Sequence, residues 1–142
     1  MKNIFIGLLL GALFAFPAFA EENTSNYIFL ASSPNLKVYG IPGTLVSKED
    51  NVIEFWTYEV FSNVELVMRF FPKLSRKEAA NFAYYKALNQ INCKTRMIRY
   101  LTTTYYDHDG SALYIEPEVK WKYITPNTIA DGVSRLCPAN IK

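Results

Sequence analysis

His108 is the single histidine of this 142-residue chain, and a histidine side chain titrates near neutral pH. Such a residue can act as a general base in catalysis or as a metal ligand. His108 lies between Asp107 and Asp109 and just before Gly110, a composition typical of a turn. Three consecutive turn residues seldom form a metal site without a distant further ligand. We therefore expect a solvated turn residue here, and a metal site at this turn is the alternative.

The sequence contains none of the spacings on which common catalytic sites are built. It has no Cys-x-x-Cys pair, no phosphate-binding glycine loop and no nucleophile elbow. A Ser-His-Asp arrangement would need His108 as its base, because the chain offers no second histidine. The sequence therefore predicts a protein that is not an enzyme and that uses no cofactor and no metal. An active site around His108 is the enzymatic alternative.

Three basic residues, Lys73, Arg76 and Lys77, are the candidate partner-binding residues. They cluster between Pro72 and the first turn of a predicted helix. Cations at a helix start oppose the helix dipole, at a cost of a few tenths of a kcal/mol each, by a rough estimate. A binding function would explain that cost, since binding groups usually lie on loops held by a rigid scaffold. The alternative is that these side chains are simply solvated.

Other residues could add to such a surface. The chain as a whole is nearly neutral, with 15 Lys and Arg against 13 Asp and Glu, which gives no support for a nucleic-acid partner. A local basic patch for acidic host or envelope polymers could nevertheless include Lys94, Arg96 and Arg99. Three tyrosines offer contact area or cross-strand packing: Tyr105, Tyr106 and Tyr114.

Residues 1–20 have the features of a cleavable secretory signal peptide. Lys2 is followed by an apolar run over residues 4–16, and the stretch ends in Ala18-Phe19-Ala20. A retained membrane anchor is the alternative, but the run is short for a hydrocarbon core about 30 Å thick. We therefore predict export of a single domain, residues 21–142.

Cys93 and Cys137 are the only cysteines, and both lie in the part predicted to be exported. Exported proteins fold under oxidising conditions, so we predict a disulfide between them. In the chain-entropy model, closing a loop of this length stabilises a protein by about 4 kcal/mol. Two separate buried thiols are the alternative.

The elements that position these residues are predicted to be mostly strands. Both faces of residues 52–61 are largely apolar, which predicts a central strand. The turn over residues 107–110 predicts a hairpin. Short runs rich in aromatic and β-branched residues predict the remaining strands: residues 27–31, 36–41, 44–47, 64–71, 93–106, 112–115 and 121–125.

Two helices are predicted. Ser75 and Glu78 have the spacing of a capping box, and apolar residues then recur at helical spacing, which predicts a helix over residues 76–90. A shorter helix is predicted over residues 128–136, next to Cys137. The predicted fold class is α+β: an antiparallel β-sheet with a helix before the Cys93 strand, a short C-terminal helix packed on the sheet, and one disulfide.

Several of these motifs resemble the surface-adhesin protein E family of Gram-negative bacteria. The most specific are Asn92-Cys93 after a short helix, Tyr105-Tyr106-Asp107, and the closing motif over residues 124–131 that leads into Cys137. Residues 25–28 and 52–61 are similar in weaker ways. The likeness extends over nearly the whole of the predicted mature chain.

The resemblance implies an antiparallel sheet, a packed C-terminal helix and a Cys93–Cys137 bridge. It also implies binding of host extracellular proteins such as vitronectin and laminin through basic residues before the helix; Lys73 matches that stretch directly, and Arg76 and Lys77 match approximately. The lipidated cysteine that tethers the founding adhesin has no counterpart at the end of this predicted signal peptide. Location at the cell surface and a ligand-binding or structural role in the periplasm are therefore both open.

Overall fold

An antiparallel sheet forms the body of the protein in this computed structural model, which describes residues 26–139. The predicted signal peptide lies outside the described residues. The main strand order is β1-β2-β4-β5-β6-β7, with β3 paired to β4 and β8 to β6. The strands are β1 (Ile28–Ser33), β2 (Leu36–Gly40), β3 (Val46–Ser47), β4 (Val52–Phe61), β5 (Phe82–Asn92), β6 (Met97–Asp107), β7 (Ala112–Glu116) and β8 (Lys122–Tyr123).

The central strand is β4, as the sequence predicts. It pairs with β2 on one side and β5 on the other, so its backbone groups are satisfied on both edges. The predicted hairpin is also confirmed: β6 and β7 are antiparallel neighbours joined by the turn at Asp107–Gly110. The predicted strand over residues 121–125 is shorter than expected and consists of Lys122–Tyr123 alone.

The prediction of a strand over residues 64–71 is wrong, because Val64–Phe70 forms helix α1. Asn63 explains the difference. Its Oδ1 accepts hydrogen bonds from the backbone N–H groups of Glu65 at 2.7 Å and Leu66 at 3.4 Å, which caps the helix start. Glu65 also places negative charge in the first turn, where the helix dipole favours it.

The prediction of a helix over residues 76–90 holds only for its first turns. Helix α2 spans Arg76–Asn81, and β5 begins at Phe82. The apolar residues after Phe82 fit both a helical and an alternating pattern. The strand prevails because β5 bonds to β4 on one edge and to β6 on the other, which an isolated helix could not match.

The predicted strand from Cys93 to Tyr106 begins later than expected. A turn follows Cys93, with Arg96 at φ 54°, and β6 starts at Met97. At the C-terminus, α3 (Ile129–Val133) continues into a 3₁₀ turn over Ser134–Leu136, in agreement with the predicted closing helix.

The three α-helices found within residues 26–139 pack on the same face of the sheet, which we call the inner face. At one end, the disulfide end, α3 covers aliphatic residues of several strands, among them Val38, Ile53 and Ile91. At the other end, the loop end, α1 and α2 cover a cluster rich in aromatic residues, including Tyr85 and Tyr105. The opposite face, the open face, carries no helix of the described chain. No helix within residues 26–139 is long and apolar enough to cross a membrane.

Candidate binding site

The three predicted partner-binding residues lie in the connection between α1 and α2 and in the first turn of α2. We call residues 72–77 the basic loop, and buried side chains anchor it. The Leu74 side chain is buried, and its backbone N–H donates to the Phe71 carbonyl at 3.0 Å. The Phe71 ring lies 4.4 Å from that of Tyr105, centroid to centroid. Residues 72–77 are therefore held against the sheet by Phe71 just before them and by Leu74 among them.

A complete capping box fixes the start of α2. The Glu78 backbone N–H donates to Ser75 Oγ at 3.2 Å, and the Ser75 backbone N–H donates to Glu78 Oε2 at 2.7 Å. These bonds lower the pKa of Glu78 below its ordinary value, so the carboxylate stays charged at the helix start. Arg76 and Lys77, the next residues in the chain, thus occupy a defined first turn.

Lys73 is tied to the hairpin of β6 and β7. Its Nζ donates to the Tyr114 hydroxyl at 3.2 Å and lies 5.7 Å from the centroid of that ring. The hydrogen bond with Tyr114 raises the pKa of Lys73 above its ordinary value. Tyr114 in turn stacks on the buried Tyr105 at 5.9 Å. The sequence did not predict this contact, because the partners are 41 residues apart.

Arg76 and Lys77 are exposed, and neither forms an ion pair with any side chain of residues 26–139. Lys73 is exposed as well, and its contacts are with an uncharged phenol. The structure therefore brings the three predicted residues together on one anchored loop, and none of them forms an ion pair with a carboxylate of the described chain.

The other predicted cations, Lys94, Arg96 and Arg99, lie elsewhere, and the two arginines have structural partners. At about 3.3 Å per residue, Cys93 is roughly 25 Å along β5 from Tyr85 of the loop end. Arg96 Nη2 pairs with Asp131 Oδ1 of α3 at 2.6 Å. Arg99 has its own partners: Gln90 Oε1 at 2.7 and 2.8 Å, Glu118 Oε1 at 2.7 Å, and the ring of Trp121 at 4.7 Å. These residues therefore do not form one continuous basic patch with the basic loop.

The tyrosines predicted to offer contact area differ from one another. Tyr105 is 1% exposed and belongs to the core, where its hydroxyl donates to Glu116 Oε2 at 2.8 Å. Tyr114 is half-buried beneath Lys73. Tyr106 points to the open face, where its ring stacks on that of Tyr84.

The predicted disulfide is confirmed. Cys93 and Cys137 are bonded with an S–S distance of 2.07 Å and a Cα–Cα distance of 5.6 Å. Because Cys93 follows β5 and Cys137 ends the 3₁₀ turn, the bond ties the C-terminal helix to the turn between β5 and β6. The Arg96–Asp131 ion pair joins the same two segments.

The sequence did not predict a buried carboxyl group at the loop end. Glu59 of β4 is 4% exposed, and it accepts hydrogen bonds from Thr57 Oγ1 at 2.8 Å and from the Tyr85 hydroxyl. Asn89 Nδ2 donates to Thr57 Oγ1 at 2.9 Å and completes the network. Burial raises the pKa of Glu59, and it also raises the pKa of Tyr85 well above its usual value. The signal in the sequence was a glutamate on a largely apolar face of the central strand.

The turn at His108 shows no sign of a metal centre. Asp107 Oδ1 accepts from the backbone N–H groups of Asp109 at 3.0 Å and Ser111 at 2.8 Å, so this carboxylate organises the turn itself. Within residues 26–139, no three histidine, cysteine or acidic side chains are grouped so that they could hold a metal ion.

Comparison with known proteins gives one family. No curated protein matches the sequence significantly. Residues 30–137 match the family model described as surface-adhesin protein E, a range that includes the anchored basic loop and both cysteines. Since this match extends over most of the chain, the protein belongs to the surface-adhesin protein E family.

Proposed function

We propose that the protein is exported and binds host extracellular proteins, such as vitronectin or laminin, through Lys73, Arg76 and Lys77. Family membership supports an adhesin-like binding role without enzymatic chemistry. The observation that carries the choice of site is the anchored loop: three exposed cations, held by a buried Leu74 and a complete capping box. A preorganised loop loses little conformational freedom on binding, which favours affinity.

The charges of this loop suit an acidic surface on the partner. Cations that form no ion pair with a carboxylate of residues 26–139 can steer an acidic partner and pair with it on contact. Such an interaction weakens as salt is added, because exposed charges are screened over about 10 Å at 0.1 M ionic strength. Salt dependence is therefore the signature that separates this site from an apolar one.

The test is the triple variant Lys73→Ala, Arg76→Ala, Lys77→Ala, measured against immobilised vitronectin and laminin at low and physiological salt. We expect weaker binding at low salt and a smaller salt dependence than in the wild type. A matched control is Lys94→Ala, Lys122→Ala, Arg135→Ala, which removes the same charge from exposed positions at the disulfide end. Equal binding by wild type and loop variant would reject this site.

Reaching a host partner requires exposure at the cell surface. Cell fractionation combined with protease treatment of intact cells tests this directly. Digestion of the protein on intact cells supports the adhesin role. Complete recovery in the periplasm, protected from protease, would instead support the ligand-binding or structural role in the envelope.

A further inference from the structure

Strand β7 ends the main path of the sheet, and within residues 26–139 it pairs with β6 alone. Its second edge therefore presents backbone N–H and C=O groups that have no strand partner in the described chain. The bulge between Tyr105 and Tyr106 places its extra residue in β7, at Leu113, and Pro117 follows the strand directly. The regular part of this free edge is therefore short and consists of residues 114–116.

The hydrogen-bonding pattern determines which backbone groups point to the free edge. The Asp107 N–H donates to the Ser111 carbonyl across the hairpin at 3.0 Å. Successive residues of an antiparallel strand turn their N–H and C=O groups to opposite neighbours, so Tyr105 also faces β7 and Thr104 faces β5. Ile115, the register partner of Thr104, therefore turns its own N–H and C=O to the free edge.

The side chains at this edge differ between the two faces of the sheet. Tyr114 lies on the inner face, where its ring stacks on that of Tyr105 and its hydroxyl accepts from Lys73 Nζ at 3.2 Å. Ile115, the next residue, is 62% exposed and lies on the open face. The free backbone groups are thus flanked by a cation on one face and an exposed apolar side chain on the other.

Lys73 supplies the charge at this edge. Its hydrogen bond is to an uncharged phenol, and it forms no ion pair with a carboxylate of residues 26–139. Glu116 attracts it electrostatically from beyond ion-pair distance, and the Oε2 atom of Glu116 already accepts from the Tyr105 hydroxyl at 2.8 Å. A carboxylate that a partner brings next to Tyr114 can therefore pair with Lys73.

We propose that the free edge of β7 accepts an extended acidic segment of the host protein as an additional β-strand. The segment pairs with the N–H and C=O of Ile115, directs a carboxylate to Lys73 on the inner face, and places an apolar side chain beside Ile115 on the open face. Backbone pairing of this kind requires a polypeptide, so it selects a peptide segment over a glycan. The inference rests on the proposed function, because Lys73 belongs to the basic loop, and it adds how the partner is recognised.

The probe is a short synthetic peptide in which valine alternates with threonine and one central threonine is replaced by glutamate. It is titrated into the purified protein in a calorimeter. Ile115→Pro removes the outward N–H and leaves the hydrogen bonds between β6 and β7 in place, since proline is tolerated on edge strands. We expect it to weaken binding about tenfold, because a backbone hydrogen bond is lost and a carbonyl of the peptide stays unpaired.

Ile115→Thr is the matched control, because it loses the apolar side chain but keeps the N–H and a β-branched residue. It should bind the peptide more tightly than Ile115→Pro, and equal affinities would overturn strand addition. Hydrogen exchange of the wild type needs no variant. The Ile115 amide should exchange more slowly when the peptide is bound, and an unchanged rate at saturation would also overturn the proposal.

A charge exchange tests the contact with Lys73. Lys73→Glu should weaken binding of the glutamate peptide and strengthen binding of the same peptide with lysine in place of glutamate. Lys94→Glu makes the same change in net charge at an exposed position of the disulfide end, and it should leave both affinities within about twofold of the wild type. An unaltered preference for the glutamate peptide in Lys73→Glu would refute the assigned contact.

Binding to immobilised vitronectin and laminin separates this inference from the proposed function. If the triple alanine variant of the basic loop binds them as the wild type does, the proposed function fails. If that variant binds weakly while Ile115→Pro and Ile115→Thr bind equally well, the basic loop stands as the site and strand addition is rejected. A dimer of the free protein that Ile115→Pro dissociates would assign the edge to a second copy of the chain and would likewise reject it.

Discussion

The disulfide end and the loop end of the inner face are secured in different ways. At the disulfide end, α3 lies on aliphatic side chains and is tied down by a covalent bond and an ion pair. At the loop end, α1 and α2 depend on aromatic packing around Phe71 and Tyr105, above a buried carboxyl group. The end without a crosslink carries the proposed binding loop, so the geometry of that loop depends on non-covalent contacts alone.

Removing the crosslink should give the largest effect on stability. For Cys93→Ala with Cys137→Ala, we expect the free energy of unfolding to fall by about 4 kcal/mol, because the unfolded chain regains the freedom of a long loop. Denaturant unfolding measures this loss. Reduced wild-type protein should unfold like the variant. A loss below about 1 kcal/mol would mean that the packing under α3, rather than the bond, secures this end.

The buried Glu59 provides a test of the loop end. Its raised pKa means that the folded protein keeps the proton to higher pH than the unfolded chain does. The contribution of Glu59 to stability is therefore complete below the ordinary value of 4.5 and is lost as pH rises above it. Three other carboxyl groups have lowered pKa values, so their contributions to stability are lost as pH falls: Glu54, Glu78 and Asp131.

Glu59→Gln isolates this contribution, because glutamine mimics the neutral carboxyl. Its oxygen can accept from Thr57, and its amide can donate to the Tyr85 oxygen. Denaturant unfolding between pH 4 and pH 8 should show the variant gaining on the wild type as pH rises, by up to about 1.4 kcal/mol per pH unit. Parallel stability curves for the two proteins would contradict a buried neutral carboxyl.

Sequence reasoning succeeded where a signal was local or chemically unambiguous. The capping box at Ser75, the hairpin turn after Asp107 and the pairing of two cysteines each depend on few residues, and all three are present. The predictions for residues 64–71 and 82–90 were wrong, because the apolar residues there fit both the helical period and the alternation of a strand. Pairing with strands distant in sequence decided the second case, and no local pattern contains that information.

The candidate site was predicted in part. The grouping of Lys73, Arg76 and Lys77 could be proposed because they are neighbours in the chain. The contact of Lys73 with Tyr114, and the separation of the loop from Arg96 and Arg99, follow from the register of β5, β6 and β7. Strand register is set by side chains across the whole sheet, so a single sequence does not reveal it.

The smallest expected effects on stability come from two N-cap residues, one at each end of the inner face. Ser75 caps α2 at the loop end, and Thr128 caps α3 at the disulfide end by accepting from the Asp131 backbone N–H at 3.4 Å. Ser75→Ala and Thr128→Ala should each lower the free energy of unfolding by about 1 kcal/mol, the usual cost of losing an N-cap. Denaturant unfolding measures both changes.

Binding should separate the two cap variants even though their stabilities match. Ser75→Ala frees the first turn of α2, so Arg76 and Lys77 lose their fixed positions and must be ordered again on binding. Affinity for the host protein should therefore fall in Ser75→Ala and stay unchanged in Thr128→Ala, whose helix remains tied through Cys137. Equal affinities would show that the loop needs only its charge, and the contrast between a crosslinked end and a preorganised binding end would then be lost.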